Sequence, residues 1–584
     1  MTRAVEGFVG PVAISIAVSA SPEIALGLNG AGAHKPTGPE RTTFWYAGTH
    51  MVSGVSVSGV STDLLGGLRD DLGLRRIGSG MARLDEYWEQ HKGHLDSRDP
   101  SAASLLCYVA QWVDAGWRDV DAVEEGLAAF PQGRRGALPL VDYAHILMAE
   151  GAVWVHKEEI ERALANFSLV LSLQAEIPDL QLLSLAHFWS SRCHRKNGEY
   201  ESSLAHVGEG YKVACEAGMA PMAAAMRVAE SWLLFQKGRT KDALKILAEA
   251  ESVLRETDDY ITRGNIQSSY GRMYRREGRY DLALRHFAQA IEEYSKRDPE
   301  HRNLARSLAN MGYVERLMAL QLRKRIDADA AQRRRSEPDL RRDYEDMRGQ
   351  ALAHLDRASE IYRIHAHHRG AGTVCVNRGH LHLDSGDLYK SLDEARQAYT
   401  LGEEKKDYIL MARARLLECM VENTKLEEEI EDPAWVAHLA LEAAREAVTL
   451  SKRTENRRLQ ARSLIWHGLT ICNTSPESTD AAREVADQAA ALLKNEVQDH
   501  IWEDLQTLKS KVVRGGHLDS TLHAWSQGVV GERSFQQLTE DFADLIIPKI
   551  WDHEGRKVAR VARRLSISPK KVRRVLARLG LHGG

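Results

Sequence analysis

The chain has 584 residues, 43% of them hydrophobic and 27% charged, with 15 prolines and a formal net charge of −4. That length exceeds one ordinary compact core, so several domains or one extended repeat array is expected. No run of about 18 apolar residues suggests a membrane span, and the six cysteines, scattered without a C-x-x-C pair, argue for reduced, buried thiols in a cytoplasmic protein over a disulfide framework or a zinc site.

Residues 1–80 are rich in Gly, Ser, Val and Thr and show no long helical period. Their beginning, "MTRAVEGFVGPVAISIAVSASPEI", has Arg3, an apolar run and a small-residue "VSA", but Glu6, Gly10 and Pro11 interrupt the run. The segment reads as a poorly ordered leader. Met81 opens the helical pattern "MARLDEYWEQHKGHLD" and is a plausible start. Residues 81–140 read as an irregular helical cap.

A period of forty residues follows. Gly198, Gly238 and Gly278 recur at that spacing, as do the small residues Ala163, Ser203, Ala243 and Ala283 and the larger Phe167, Val207, Leu247 and Phe287. A fixed period of this size marks a solenoid, in which each helix pair buries its apolar face against its neighbours. The glycine supplies a left-handed turn, the small residue a close helix approach, and the bulky one fills the gap between repeats. In "SSYGRMYRREGRYDLALRHFAQAI", the order of Tyr270, Gly271, Tyr274, Gly278, Tyr280, Ala283, Phe287 and Ala290 resembles a tetratricopeptide repeat (TPR). Looser matches keep Gly151, Trp154, Ala163 and Phe167, then Gly379, Gly386, Ala395 and Ala398, then Gly468, Ala482 and Ala489. The expected array covers 141–515. Within it, 322–348 is charged nearly throughout and reads as a solvated helical extension or loop; Arg333, Arg334 and Arg335 there form a possible phosphate- or RNA-binding patch.

The end of the chain is electrostatically distinct. From Lys549 to Gly584 there are eleven Lys or Arg against Asp552 and Glu554, a net of about +9 in an otherwise acidic chain. Val558, Val561, Ala562 and Leu565 form one inward stripe, with Lys557, Arg560, Arg563 and Arg564 outward. After "SIS", Val572, Val575, Leu576 and Leu579 form a second stripe, with Lys570, Lys571, Arg573, Arg574 and Arg578 opposite. Ser568 is placed to cap this helix, Pro569 to begin it and Gly580 to stop it. Two short amphipathic helices joined by a tight turn describe a helix-turn-helix.

Ala562, Leu565, Ile567, Ser568, Arg574, Leu576, Leu579, Gly580 and Leu581 also fall on a pattern similar to the C-terminal domain of the factor for inversion stimulation (Fis). "FQQLTEDFADLIIPKIWDHEG" resembles the long helix before that reader, with Phe542, Leu545, Ile546, Ile550 and Trp551 inward. The chain departs from the pattern at Arg556-Lys557, where Gly-Asn is usual, at Ser566, where the turn carries Gly, and at Pro569. The resemblance places Ser568, Lys570, Lys571, Arg573 and Arg574 nearest duplex DNA. Of these, Arg573 and Arg574 suit base edges through bidentate pairing with guanine. Arg556, Lys557, Arg560, Arg563, Arg564 and Arg578 are assigned to phosphates.

Other signals carry less. His365, His367 and His368 lie near His380 and His382, but no carboxylate or cysteine completes a recognisable metal spacing. "GLNGAGAHKPTG" lacks the G-x-x-x-x-G-K-[ST] of a nucleotide loop. Trp189, Trp232 and Trp466 read as solenoid core. No nucleophile elbow, paired acids or H-E-x-x-H appears, so neither an enzyme nor a cofactor is expected. The sequence therefore predicts an all-α protein: a TPR-like helical-hairpin solenoid with a low-order leader and a small helix-turn-helix domain over 516–584. Its expected role is that of a cytoplasmic, bacterial transcriptional regulator. The solenoid would bind a protein, peptide or small-molecule signal, and the basic end double-stranded DNA, as a possible homodimer. The alternative is an interaction scaffold whose basic end docks on an acidic protein.

Overall fold

The computed structural model describes residues 61–90, 99, 101–117, 120–331, 338–475, 478–494, 496, 499–515, 534–579 and 581. Most of the proposed leader, the Arg333–Arg335 patch and the Gly580 helix stop lie outside them. Among the described residues there are 25 helices and no strand. Five helices come first: α1 (Thr62–Gly73), α2 (Ile77–Gln90), α3 (Ala102–Asp114), α4 (Asp121–Ala128) and α5 (Gln132–Arg135).

Eight helical hairpins follow. They pair α6 (Leu140–His156) with α7 (Ile160–Ser172), α8 (Leu180–Asn197) with α9 (Tyr200–Glu216), and α10 (Ala220–Gln236) with α11 (Thr240–Leu254). Next come α12 (Tyr260–Arg276) with α13 (Tyr280–Ser295), and α14 (Arg302–Ala331) with α15 (Pro338–Ile364). The last three pair α16 (His368–Asp384) with α17 (Leu388–Glu404), α18 (Tyr408–Glu427) with α19 (Pro433–Ser451), and α20 (Arg457–Thr474) with α21 (Thr479–Leu493). Helix α22 (His500–Gly515) packs on the final pair.

The forty-residue period works as its chemistry requires. Gly198, Gly238 and Gly278 take φ of +82°, +78° and +75° between the two helices of their hairpins, a conformation open to glycine without a Cβ clash. Ala163, Ser203, Ala243 and Ala283, and the four bulkier residues one turn later, are all fully buried. At Gly271, an added Cβ would sit 2.7 Å from the Phe287 ring, and at Gly151, 2.4 Å from Phe167. In these two hairpins the bulky residue of the second helix thus enters the space left by a missing side chain on the first. First helices also pack on one another, α6 on α8 and then each in turn from α10 to α20, which builds an inner layer. This is a TPR-like helical-hairpin solenoid.

Two features differ from the expectations. Helix α1 and the start of α2 lie within residues 1–80, and Met81 is a buried residue of α2. Their order comes from distant partners: Arg69 pairs with Asp179 at 2.9 Å, Arg75 with Asp259 at 2.7 Å, and the Asp258 carboxylate accepts from the backbone N–H groups of Ile77 and Gly78. A local period could not reveal such anchors. Second, Cys215 is exposed and Cys472 half-buried, while the other four thiols are buried. The described parts of the charged stretch, 322–331 and 338–348, lie at the end of α14 and the start of α15, helices of 30 and 27 residues, where Arg323–Asp327 and Lys324–Glu503 pair.

The solenoid turns back on itself. His368 N–H donates to Glu158 Oε2 at 2.8 Å, Lys405 Nζ to the Lys157 carbonyl at 3.2 Å, and Glu455 N–H to the Gly198 carbonyl at 2.8 Å. Turns five to six hairpins apart therefore touch, and the inner layer encloses a chamber.

At the C-terminal end, α23 (Phe535–His553), α24 (Val558–Arg564) and α25 (Pro569–Arg578) surround their own core of Ile547, Val561, Ala562, Val572, Val575 and Leu576. Pro548 sits inside α23 without ending it, and a Ser534/Gln537 capping box starts the helix.

Candidate functional site

Two places gather unusual chemistry, one anticipated by the sequence and one not. The anticipated place is the basic end. Helix α25 begins at Ser568, whose Oγ accepts from Lys571 N–H at 3.2 Å, with Pro569 in the first turn. Val572, Val575 and Leu576 are buried, while Lys570, Arg573 and Arg574 are exposed on the opposite side and Lys571 is half-buried. Lys557, Arg560 and Arg563 are exposed on or beside α24.

Three further cations of this end are engaged within the chain. Arg556 pairs with Asp552 at 3.0 Å and lies over the Trp551 ring, and Arg564 pairs with Glu554 at 2.6 Å. Arg578 holds both Glu540, at 3.3 Å, and Asp544, and so ties α25 to α23. Of the inward residues expected here, Phe542 and Leu579 are instead exposed, and Ile547 fills the core. Phe535 is 85% exposed.

The second place is the chamber, with a volume of about 470 Å³. Its wall is written in the repeat register: Arg192, Trp232 and Arg272 are forty residues apart, as are Arg195, Phe235 and Arg275, and Lys196, Gln236 and Arg276. These are positions i, i+3 and i+4 of α8, α10 and α12, one face of each helix. Helices α14, α16, α18 and α20 extend the wall and add Arg302, Arg306, Arg369, Arg413, Arg458 and Arg462. Twelve cations line the chamber, against the carboxylates of Asp407 and Asp499.

Some of these cations are neutralised. Asp114 of α3 takes Arg192 at 2.6 and 3.0 Å and Arg302 at 2.9 Å. Burial alone would raise the Asp114 pKa, yet the two guanidiniums hold it well below the carboxylate range. Arg369 pairs with Asp407, and Arg458 with Asp499 and Glu496. Arg276 reaches Glu496 at 3.5 Å and lies over the Phe235 ring.

Seven have no carboxylate within 4 Å among the described residues: Arg195 and Lys196 on α8, Arg272 and Arg275 on α12, Arg306 on α14, Arg413 on α18 and Arg462 on α20. Several show the cost of this crowding. Burial, reinforced by Arg192 and Arg306, brings Arg195 down to about 9. Burial, partly offset by Glu158 and reinforced by Arg302, brings Lys196 down to about 8. Burial and Arg306 hold Arg272 well below its ordinary value.

Sequence reasoning missed this site and assigned Trp232 to the core; Trp189 is indeed buried, but Trp232 lines the chamber with Arg195 stacked on it at 5.1 Å. The available signal was the basic triplet Arg192, Arg195 and Lys196 of one first helix returning as Arg272, Arg275 and Arg276, two repeats of forty residues later. The histidines near 367 are also put to structural use. His367 Nδ1 accepts from Gly370 N–H to start α16, and His365 Nε2 contacts the Glu300 carbonyl. Among the described residues, no group of three His, Cys, Asp or Glu is placed to hold a metal ion, and no helix is long and apolar enough to cross a membrane.

The tetratricopeptide repeat family matches residues 262–321, the span from α12 into α14. No curated protein matches the chain by sequence. Among solved structures, human IFIT1 dimer with m7Gppp-AAAA is 13% identical over 79% of this chain and 97% of that one, with a TM-score of 0.43. The Rap conjugation gene regulator of plasmid pLS20 in complex with the Phr* peptide is 14% identical over 68% and 96%, with a TM-score of 0.42. The apo quorum sensor NprR from B. thuringiensis is 14% identical over 73% and 97%, with a TM-score of 0.36.

Proposed function

We propose that this chain is a TPR-like scaffold that takes a partner or signal on the inner face of its solenoid and contacts double-stranded DNA through its C-terminal end. The first half rests on the enclosed, side-chain-rich chamber; inner surfaces of such repeats are extended binding faces. The second rests on one observation above the others: α25 buries Val572, Val575 and Leu576 on α23 and α24 while presenting Lys570, Arg573 and Arg574 to solvent. A capped, basic helix after a tight turn is the geometry that enters a major groove. Lys557, Arg560 and Arg563 flank it as phosphate contacts. Pairing of two copies through Phe535 and Phe542 on α23 would supply the two half-sites such readers use.

A second reading has an observation of its own. Arg556, Arg564 and Arg578 already hold carboxylates of this chain, so the same end suits an acidic protein surface. Titrating the full chain with a labelled duplex at several salt concentrations separates the two. With about six phosphate contacts, log affinity falls with log salt at a slope of about −5, and Arg573→Ala/Arg574→Ala abolishes sequence preference. Undiminished duplex binding by that variant, or no duplex binding at low salt, transfers the assignment to a protein partner.

A further inference from the structure

We propose that the chamber inside the solenoid is a binding site for a compact polyphosphate, either the phosphate chain of a nucleotide or an inorganic polyphosphate. The inference rests on the reading of the inner face as the binding face and names the chemistry of its ligand. Seven cations without a carboxylate within 4 Å surround a space of about 470 Å³, a volume suited to a small ligand. The folded chain holds these like charges together with only more distant carboxylates, Glu158 for Lys196, Asp499 for Arg275 and Asp407 for Arg413, to offset them. Guanidinium forks match phosphate oxygens bidentately, and a polyphosphate brings several negative charges in a few atoms.

An acidic peptide of the same volume brings about one charge per residue and needs partners for its backbone. Three amides of the chamber are engaged within the chain. Asn310 accepts from Arg275 and donates to the Arg306 carbonyl, Asn377 donates to the Ala309 carbonyl, and Asn456 caps α20 at Leu459 N–H. Meanwhile Arg306 Nε and Arg462 Nε are buried donors without an acceptor. Cations of the wall outnumber its carboxylates twelve to two among the described residues, and a phosphate chain supplies the acceptors that Arg306 Nε and Arg462 Nε lack.

The test is calorimetric titration of the full chain in about 0.15 M salt with sodium tripolyphosphate, with ATP and with hexaglutamate. Both phosphates are expected to bind at one per chain, and hexaglutamate not. Tighter ATP binding assigns a nucleotide as carrier; equal affinities assign the phosphate chain alone. Arg272→Gln and Arg413→Gln should each weaken binding about tenfold, the loss of one charged hydrogen bond. They should also raise the melting temperature of the ligand-free chain, because each removes one of these crowded cations; a merely structural arginine would lower it. Near pH 8, binding should take up protons as Lys196 gains its countercharge. A Lys570→Ala/Arg573→Ala/Arg574→Ala variant should bind both phosphates as the wild type does. The proposal is overturned if neither phosphate binds, if the Arg272 and Arg413 variants bind unchanged, or if binding is lost in the tip variant. Chamber binding of hexaglutamate alone overturns the phosphate assignment but leaves the inner face as the binding face.

Discussion

Single residues decide how closely the helices of each hairpin approach. Phe287 is fully buried against the Cα of Gly271. Phe287→Ala should destabilise the chain by about 3–5 kcal/mol through lost burial and a residual cavity. Gly271→Ala should cost about 1–3 kcal/mol, because the new methyl overlaps a ring that well-packed neighbours hold in place. Urea midpoints read both. Glu158 occupies the position at which the next three hairpins carry glycine, and it takes φ +59° there. Its carboxylate compensates by accepting His368 N–H from a hairpin of the following superhelical turn. Glu158→Gly should therefore be more stable than Glu158→Ala by about 1 kcal/mol, since both lose that contact and the alanine alone keeps the left-handed strain. Equal stabilities would show that the backbone relaxes at this turn.

The helices of the basic end show how far an apolar pattern can be trusted. The stripe of α25 was readable to within one residue: Val572, Val575 and Leu576 are buried and Leu579 is 40% exposed. On α23, the consecutive apolar residues Ile546 and Ile547 left the buried face open, and docking against α24 and α25 selected Ile547. A helical period gives the direction of a stripe; adjacent residues differ by 100° and need a partner to choose between them. The turn between α24 and α25 places Ser566 at φ +53°. Ser566→Gly should stabilise this end by about 1 kcal/mol, and Ser568→Ala should cost about 1 kcal/mol through the lost cap. Local unfolding followed by hydrogen exchange over 558–579 separates these effects from the solenoid.

For the molecule as a whole, closure of the superhelix sets the chemistry of its interior. Histidines caught in it are driven toward neutrality. Burial brings His301, His367 and His500 down to about 3, with Arg302 adding to the effect at His301 and His367, and Arg462 and Arg458 at His500. The unfolded chain protonates these groups near their ordinary value of about 6.5. Below that pH the unfolded state binds more protons, so stability should be intact above about 6.5 and fall as the pH drops toward 3. Denaturation midpoints at pH 7.5 and 5.5 test this, and a midpoint that rises on acidification would contradict it. The loss at pH 5.5 should shrink in a His367→Asn variant, which keeps an acceptor near Gly370 N–H without titrating.

Repeat length, hairpin turns, the small-to-large packing of the solenoid and the amphipathic basic tip were all legible in the order of residues, because each arises from contacts within one helix or between chain neighbours. The anchoring of α1 and the chamber were not. Arg69 meets Asp179, and Glu455 meets Gly198, across more than a hundred residues. Arg195, Arg272, Arg306, Arg413 and Arg462 share one enclosed space because the superhelical pitch brings successive turns together. Pitch is the sum of small rotations at every hairpin interface. No local pattern records that sum, so only the folded solenoid could reveal that its first helices turn their charges toward a common interior.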